Sequence, residues 1–133
     1  LLVADALQEL GIAELAGRRL SELSGGQRQR ALVAQAVVQE ADLLLLDEPF
    51  TGLDRPTETA IRSLLRRWRE EGRTVLVATH DLESAARDHD LVLALNGRVV
   101  AFGDAATTCT DAVLRETFGE GVLRGGVPAT GGH

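Results

Sequence analysis

The chain has 133 residues, 44% of them hydrophobic and 26% charged, which suits one globular domain and excludes a disordered polymer. All 14 basic residues are arginine and the net charge is −6, so neither a lysine-rich nucleic-acid patch nor a GK[ST] phosphate loop lies within these residues. Wholly apolar runs such as Ala31–Ala34 and Leu43–Leu46 fall far short of the roughly 20 residues that a membrane-spanning helix needs. One cysteine, Cys109, makes no internal disulfide and fits a reducing compartment. The N-terminal stretch carries Asp5 and Glu9 with no basic region, unlike a signal peptide. With no methionine and leucine at position 1, the sequence reads as part of a longer chain or one trimmed at its start.

Leu1–Leu10 reads as a helix stopped by Gly11, and Ile12–Leu23 as a short helical or turn segment. Ser24-Gly25-Gly26 interrupts the pattern. A helix is expected over Gln27–Glu40, largely buried because its apolar residues wrap most of the circumference. Leu43–Leu46 is expected to be a strand buried on both faces, closed by Asp47-Glu48-Pro49. Asp54 is placed to cap a helix with Pro56 in its first turn. Ile61, Leu64, Leu65 and Trp68 form its apolar stripe, and Gly72 closes it. Thr74–Thr79 reads as a second buried strand and Leu82–His89 as a short helix. Leu91–Leu95 and Arg98–Phe102 flank Asn96-Gly97, a two-residue hairpin signal. Asp111–Phe118 reads as a last helix capped by Thr110 or Asp111. The stretch 119–133 holds six of the 14 glycines and no periodicity, so a flexible tail is expected. Strand, helix, strand in that order implies α/β architecture with parallel strands, the hairpin adding an antiparallel piece.

Three stretches carry candidate chemistry. Leu43–Glu48 delivers two adjacent carboxylates at the C-terminal end of a strand, where open α/β sheets bind ligands. Adjacent residues there point apart, so one can hold Mg²⁺ while the other faces a water. Leu23-Ser24-Gly25-Gly26-Gln27 offers two glycines and a hydroxyl before a helix start, a place for an anion. Val75–Asp81 puts His80 at the C-terminal edge of the second strand. Taken singly, each has a plain structural reading: a core strand meeting a solvated turn, a serine cap, an exposed histidine.

In this order and spacing they resemble the ATP-binding subunits of ABC transporters, over residues 1–118. Leu23–Gln27 matches the LSGGQ signature, Leu43–Glu48 the Walker B strand with its glutamate, Gly52-Leu53-Asp54 the D-loop and His80 the switch histidine. The resemblance implies the α/β fold of P-loop NTPases in its ABC-ATPase form, a mainly parallel sheet with flanking helices, lacking the N-terminal phosphate-loop part. Residues 1–22 would end a helical subdomain, 23–118 would form the signature-to-switch part of the core, and 119–133 the tail. The ligand implied is ATP with Mg²⁺. Asp47 would hold Mg²⁺ through water, Glu48 would orient and polarise the attacking water, and His80 would contact the γ-phosphate. Ser24, Gly25, Gly26 and Gln27 would close over ATP held by the opposite subunit, and Asp54 would communicate across the dimer. The phosphate loop, the adenine-stacking aromatic and the Q-loop glutamine are missing. The strand next to Val75–Ala78 goes with them, so these residues alone are expected to fold loosely and bind ATP weakly.

Phe50–Asp54, Val92–Gly103 and Leu114–Gly119 resemble ATPases of manganese, zinc or iron importers. Implied partners are a second ATPase subunit, membrane permease subunits and a substrate-binding protein, at the cytoplasmic face of the plasma membrane. His80, His89, Cys109 and His133 show no metal-ligand spacing. Two other readings stay open. One is a soluble ABC-type ATPase acting on DNA or ribosomes, although only 19 residues separate Gln27 from Asp47 and leave no room for a long insert. The arginines at 62, 66, 67 and 69 alternate with Glu58, Glu70 and Glu71 as on a solvated helix face, so no nucleic acid is expected. The other is a non-catalytic ABC-like module, against which the intact Glu48 and His80 speak.

Overall fold

A computed structural model describes residues 3–119. The tail expected at 119–133 lies outside the described residues from position 120 onward. The chain divides into two compact units, one ending at Ala78 and one beginning at Thr79.

The first unit opens with helix α1 (Val3–Glu9), and Gly11, at φ +68°, takes the left-handed turn that ends it. Two short 3₁₀ turns, Ala13–Leu15 and Leu20–Glu22, lead to helix α2 (Gly25–Val38). Strand β1 (Leu43–Asp47), helix α3 (Arg55–Glu70) and strand β2 (Thr74–Ala78) follow. β1 and β2 pair in parallel from Leu43–Thr74 to Asp47–Ala78. Parallel neighbours cannot be joined by a tight turn, and α3 provides the crossover. Its stripe is buried as expected: Ile61, Leu64 and Trp68 sit in one cluster with Ala6, Leu10, Ile12, Val33, Val37 and Leu44. Gly72, at φ +84°, returns the chain to β2, and the Arg73 guanidinium lies 5.1 Å over the Trp68 ring.

Burial is narrower than the sequence suggests. In α2 only Val33, Ala34 and Val37 are buried, and Leu32 is exposed. The helix meets α1 and α3, and Ala31, Ala36 and Val38 are half-buried against the core while Leu32 stays in water. Neither strand is covered on both faces. Leu44 is buried, but Leu43, Leu45 and Leu76 are 52%, 64% and 57% exposed. Period-two alternation turns these three to one side, and no described element covers it.

The second unit holds helix α4 (Leu82–Asp88), strands β3 (Val92–Leu95) and β4 (Val99–Gly103), the short helix α5 (Ala105–Thr108) and helix α6 (Asp111–Phe118). β3 and β4 form the hairpin, as a sheet of their own. Its turn is three residues, Asn96-Gly97-Arg98, because Leu95 pairs with Val99 and the register shifts after Ala94. Gly97 takes φ +66° there. Asn96 Nδ2 donates to the Glu116 carbonyl at 3.0 Å and Arg98 pairs with the Glu116 carboxylate, tying the turn to α6. Thr110 caps α6, and Asp104 caps α5, a helix the periodicity does not announce.

Ile61 is fully buried beneath α3. Ile61→Ala is expected to destabilise the first unit by about 2–5 kcal/mol. The single tryptophan, Trp68, lies in the same cluster, and its fluorescence in urea unfolding reads the loss.

Candidate functional site

β1 ends on Asp47, whose exposed carboxylate stands at the register position opposite Ala78. The next residue leaves the strand sharply. Glu48 N donates to the Ala78 carbonyl at 2.8 Å while its own φ is +45°. A non-glycine residue in that region is strained, and Glu48 also precedes Pro49, which restricts it further. The backbone thus turns out of the strand between the two acids. Thr51 Oγ1 donates to Glu48 Oε2 at 3.3 Å, and Thr51 N to the Glu48 carbonyl at 3.3 Å, so a one-turn loop braces the acid. Strain held in place by surrounding contacts is common at functional positions.

α2 begins one residue after Ser24, so Gly25 and Gly26 form its first turn instead of preceding it. Ser24 Oγ accepts from Gln27 N at 3.2 Å, and Gln27 Oε1 accepts from Ser24 N at 3.0 Å. This capping box is legible in the sequence as Ser-x-x-Gln. Its physical reason places the helix start earlier than the two glycines alone suggest. The side chains of Ser24 and Gln27 are thus engaged with each other's backbone. The first-turn amides of Gly25 and Gly26 lie at the positive end of a 14-residue helix, and a Cβ at Gly25 would meet nothing within 4 Å. The site residues can therefore accommodate an anion at the helix start.

Asp54 precedes α3, with Pro56 at the helix start as expected. The Thr57 hydroxyl, and then the Arg30 guanidinium, hold the Asp54 carboxyl below the usual carboxylate range. Arg30 Nε donates to Thr57 Oγ1 at 2.8 Å, Arg30 Nη2 meets the same oxygen, and Nη2 lies 3.6 Å from Asp54 Oδ1. Leu53 Cδ2 lies 3.8 Å from where a Cβ on Gly26 would stand. The signature turn and the Asp54 loop are thus packed together. Arg30 and Thr57 escape sequence reasoning, because nothing local marks two residues 27 positions apart as partners.

His80 is exposed and belongs to the second unit, two residues after β2 ends. The turn around it is fixed: Asp81 N donates to Thr79 Oγ1 at 3.0 Å, and Asp81 Oδ1 caps α4 through Ser84 N at 3.1 Å. Two arginines of α3 pair with carboxylates. Arg62 pairs with Glu58 at 2.8 Å and lies 4.0 Å over the Phe50 ring, and Arg67 pairs with Glu9.

Two outcomes follow from this geometry. Alanine ordinarily beats glycine within an element, but at φ +45° the order should reverse. Glu48→Gly is expected to be more stable than Glu48→Ala by about 1 kcal/mol in urea unfolding. Equal stabilities would mean that Glu48 is not strained. Because folding lowers the Asp54 pKa, its contribution is present above the unfolded pKa and disappears as pH falls through the folded one. Asp54→Asn should flatten that acid limb of the stability profile.

Residues 2–51 match the ABC transporter family. Over 115 residues the chain is 44% identical to the zinc transport system ATP-binding protein TroB of Treponema pallidum, covering 86% of this chain and 43% of that protein. It is 46% identical over 123 residues to the chelated iron transport system membrane protein YfeB of Yersinia pestis, covering 92% and 41%. With the manganese transport system ATP-binding protein MntB of Bacillus subtilis it shares 45% over 114 residues, 86% of this chain and 46% of that protein. A solved structure described as an inward-facing conformation of a metal-chelate type ABC transporter superposes with a TM-score of 0.75 at 35% identity, over 87% of this chain and 47% of that one. The chain spans less than half the length of these relatives. No helix among the described residues is long and apolar enough to cross a membrane. Across the part of those proteins that it spans, the chain is similar to ATP-binding proteins of metal transport systems, and its residues 2–51 match the ABC transporter family.

Proposed function

We propose that the chain contributes the signature-to-switch part, residues 23–118, of an ATPase subunit that drives metal-ion import, with residues 1–22 ending a helical subdomain. Two such subunits would form a cassette dimer on membrane permease subunits, at the cytoplasmic face of the plasma membrane, supplied by a substrate-binding protein. The metal cargo follows from the zinc, iron and manganese systems to which the relatives belong. Hydrolysis is assigned to the complete dimer and not to these 133 residues alone, since they contain no lysine for a phosphate loop.

The observation that carries the reading is the Asp47-Glu48 step at the end of β1. Phosphoryl transfer asks a protein for positioning and charge stabilisation more than for covalent chemistry. Glu48, braced by Thr51, would accept a hydrogen bond from the attacking water and orient it. Asp47, exposed beside it, would hold Mg²⁺ through water. The metal, when bound, neutralises charge on the phosphate oxygens. Ser24, Gly25, Gly26 and Gln27 would present the α2 start to the γ-phosphate of ATP on the opposite subunit. Asp54 would carry the state of one nucleotide to the other across the interface. His80 would donate to the γ-phosphate from the start of the second unit.

The test is Glu48→Gln in the assembled transporter. Hydrolysis is expected to fall by about 10²- to 10⁴-fold, with ATP still bound and metal uptake lost. Hydrolysis at the wild-type rate would refute the role given to Glu48.

A further inference from the structure

We infer that Arg30 is a positioning residue for hydrolysis: it latches the helix that starts at Ser24 to the loop that ends at Asp54, so that both move as one body. The inference rests on the reading above, in which those two segments serve a nucleotide at the subunit interface.

The two segments lie far apart in sequence and meet at two places. Leu53 stands against Gly26, an apolar contact that either side can slide along. Arg30 supplies the directional one. Its Nε and Nη2 both reach Thr57 Oγ1, Nη2 also faces Asp54 Oδ1 at 3.6 Å, and Nη1 reaches the Leu10 carbonyl at 3.5 Å. Thr57 is 1% exposed, so the latch point is fixed in the protein interior. The Arg30 side chain is 20% exposed against 62% for Asp54. Every nitrogen of the guanidinium meets an oxygen of this chain, so Arg30 acts within the protein and is not itself placed to bind phosphate. It acts through the segments it joins. A planar fork meets three acceptors at once, which a lysine ammonium on a flexible stem does not reproduce.

A rigid link here has a catalytic consequence. If the signature turn closes on one nucleotide, the Asp54 loop must shift with it, and closure is transmitted without new contacts to ATP. Loosening the link would leave ATP affinity intact and misplace the closed geometry.

The experiment measures kcat and KM for ATP, together with thermal midpoint, in the assembled transporter. Variants are Arg30→Gln, Arg30→Lys, Thr57→Val, Asp54→Asn and Arg30→Gln with Asp54→Asn. Arg30→Gln and Thr57→Val are expected to lower kcat about 10-fold or more, with KM within about 2-fold. Arg30→Lys should rescue only part of the loss. The double variant should be no slower than its slower parent, since both changes break one link. Unchanged kcat per folded subunit, or losses that multiply in the double variant, would overturn the latch. Should Arg30→Gln fail to fold, Arg30→Lys and Thr57→Val decide by the same criteria. An active Glu48→Gln protein overturns the underlying ATPase reading. An inactive one beside fully active Arg30 and Thr57 variants overturns the latch alone.

Discussion

The hydrogen bond from Glu48 N to the Ala78 carbonyl extends the parallel pairing of β1 and β2 one residue past the last paired positions. That bond fixes where the backbone of Glu48 sits while the following proline and the Thr51 loop fix where it goes next. Without the parallel register, Asp47 and Glu48 would be two acids at a frayed strand end. With it, they occupy defined positions at the C-terminal edge, where open α/β sheets bind ligands. The register in turn depends on α3, whose buried stripe holds the crossover against the strands. An isolated pair of strands is marginal in water, so the helical layer is what makes the edge rigid.

A second tie crosses the same unit. α2 and α3 are joined to one side of the sheet through Val33, Val37, Ile61 and Leu64, and their starts are joined through Arg30 and Thr57. Burial supplies most of the energy and is tolerant of small slides. The guanidinium contacts are directional and set the register of one helix against the other. Division of labour of this kind lets an apolar core stabilise the unit while a single polar cluster decides how two functional turns face.

Much of this was legible from the sequence, and the limits are physical. Caps are local, so Ser24, Asp54 and Thr110 announce their helices within three residues. The α3 stripe is periodic, and Gly72 ends it for a stereochemical reason. The family resemblance singles out Asp47, Glu48 and the signature by their order and spacing. What escaped is either non-local or a matter of coverage. An all-leucine strand signals burial on two faces, yet Leu43 and Leu45, with Leu76 beside them on β2, are exposed, because no described element covers that face. Asn96-Gly97 correctly marks a hairpin, but a bulge after Ala94 lengthens its turn, and bulges leave little trace in composition. The left-handed backbone at Glu48 contradicts residue preference outright. Such violations concentrate where function outweighs local stability.

The direction of the strands sorts the unit into two ends. β1 and β2 start at Leu43 and Thr74, where Thr74 N donates to the Asp42 carbonyl at 2.9 Å and Arg73 covers Trp68. Those residues anchor the fold at that end. The opposite end gathers the last residue of β1, strained Glu48 and the start of α3 with Asp54 and Thr57, to which Arg30 fastens α2. Because α3 runs back against the strands, its start falls at the same edge as the acids. A parallel β–α–β unit therefore brings carboxylates, helix starts and a coupling arginine to one rim by topology alone. Substitutions at that rim change the chemical groups on offer, while the core beneath tolerates exchanges that keep its volume and pattern.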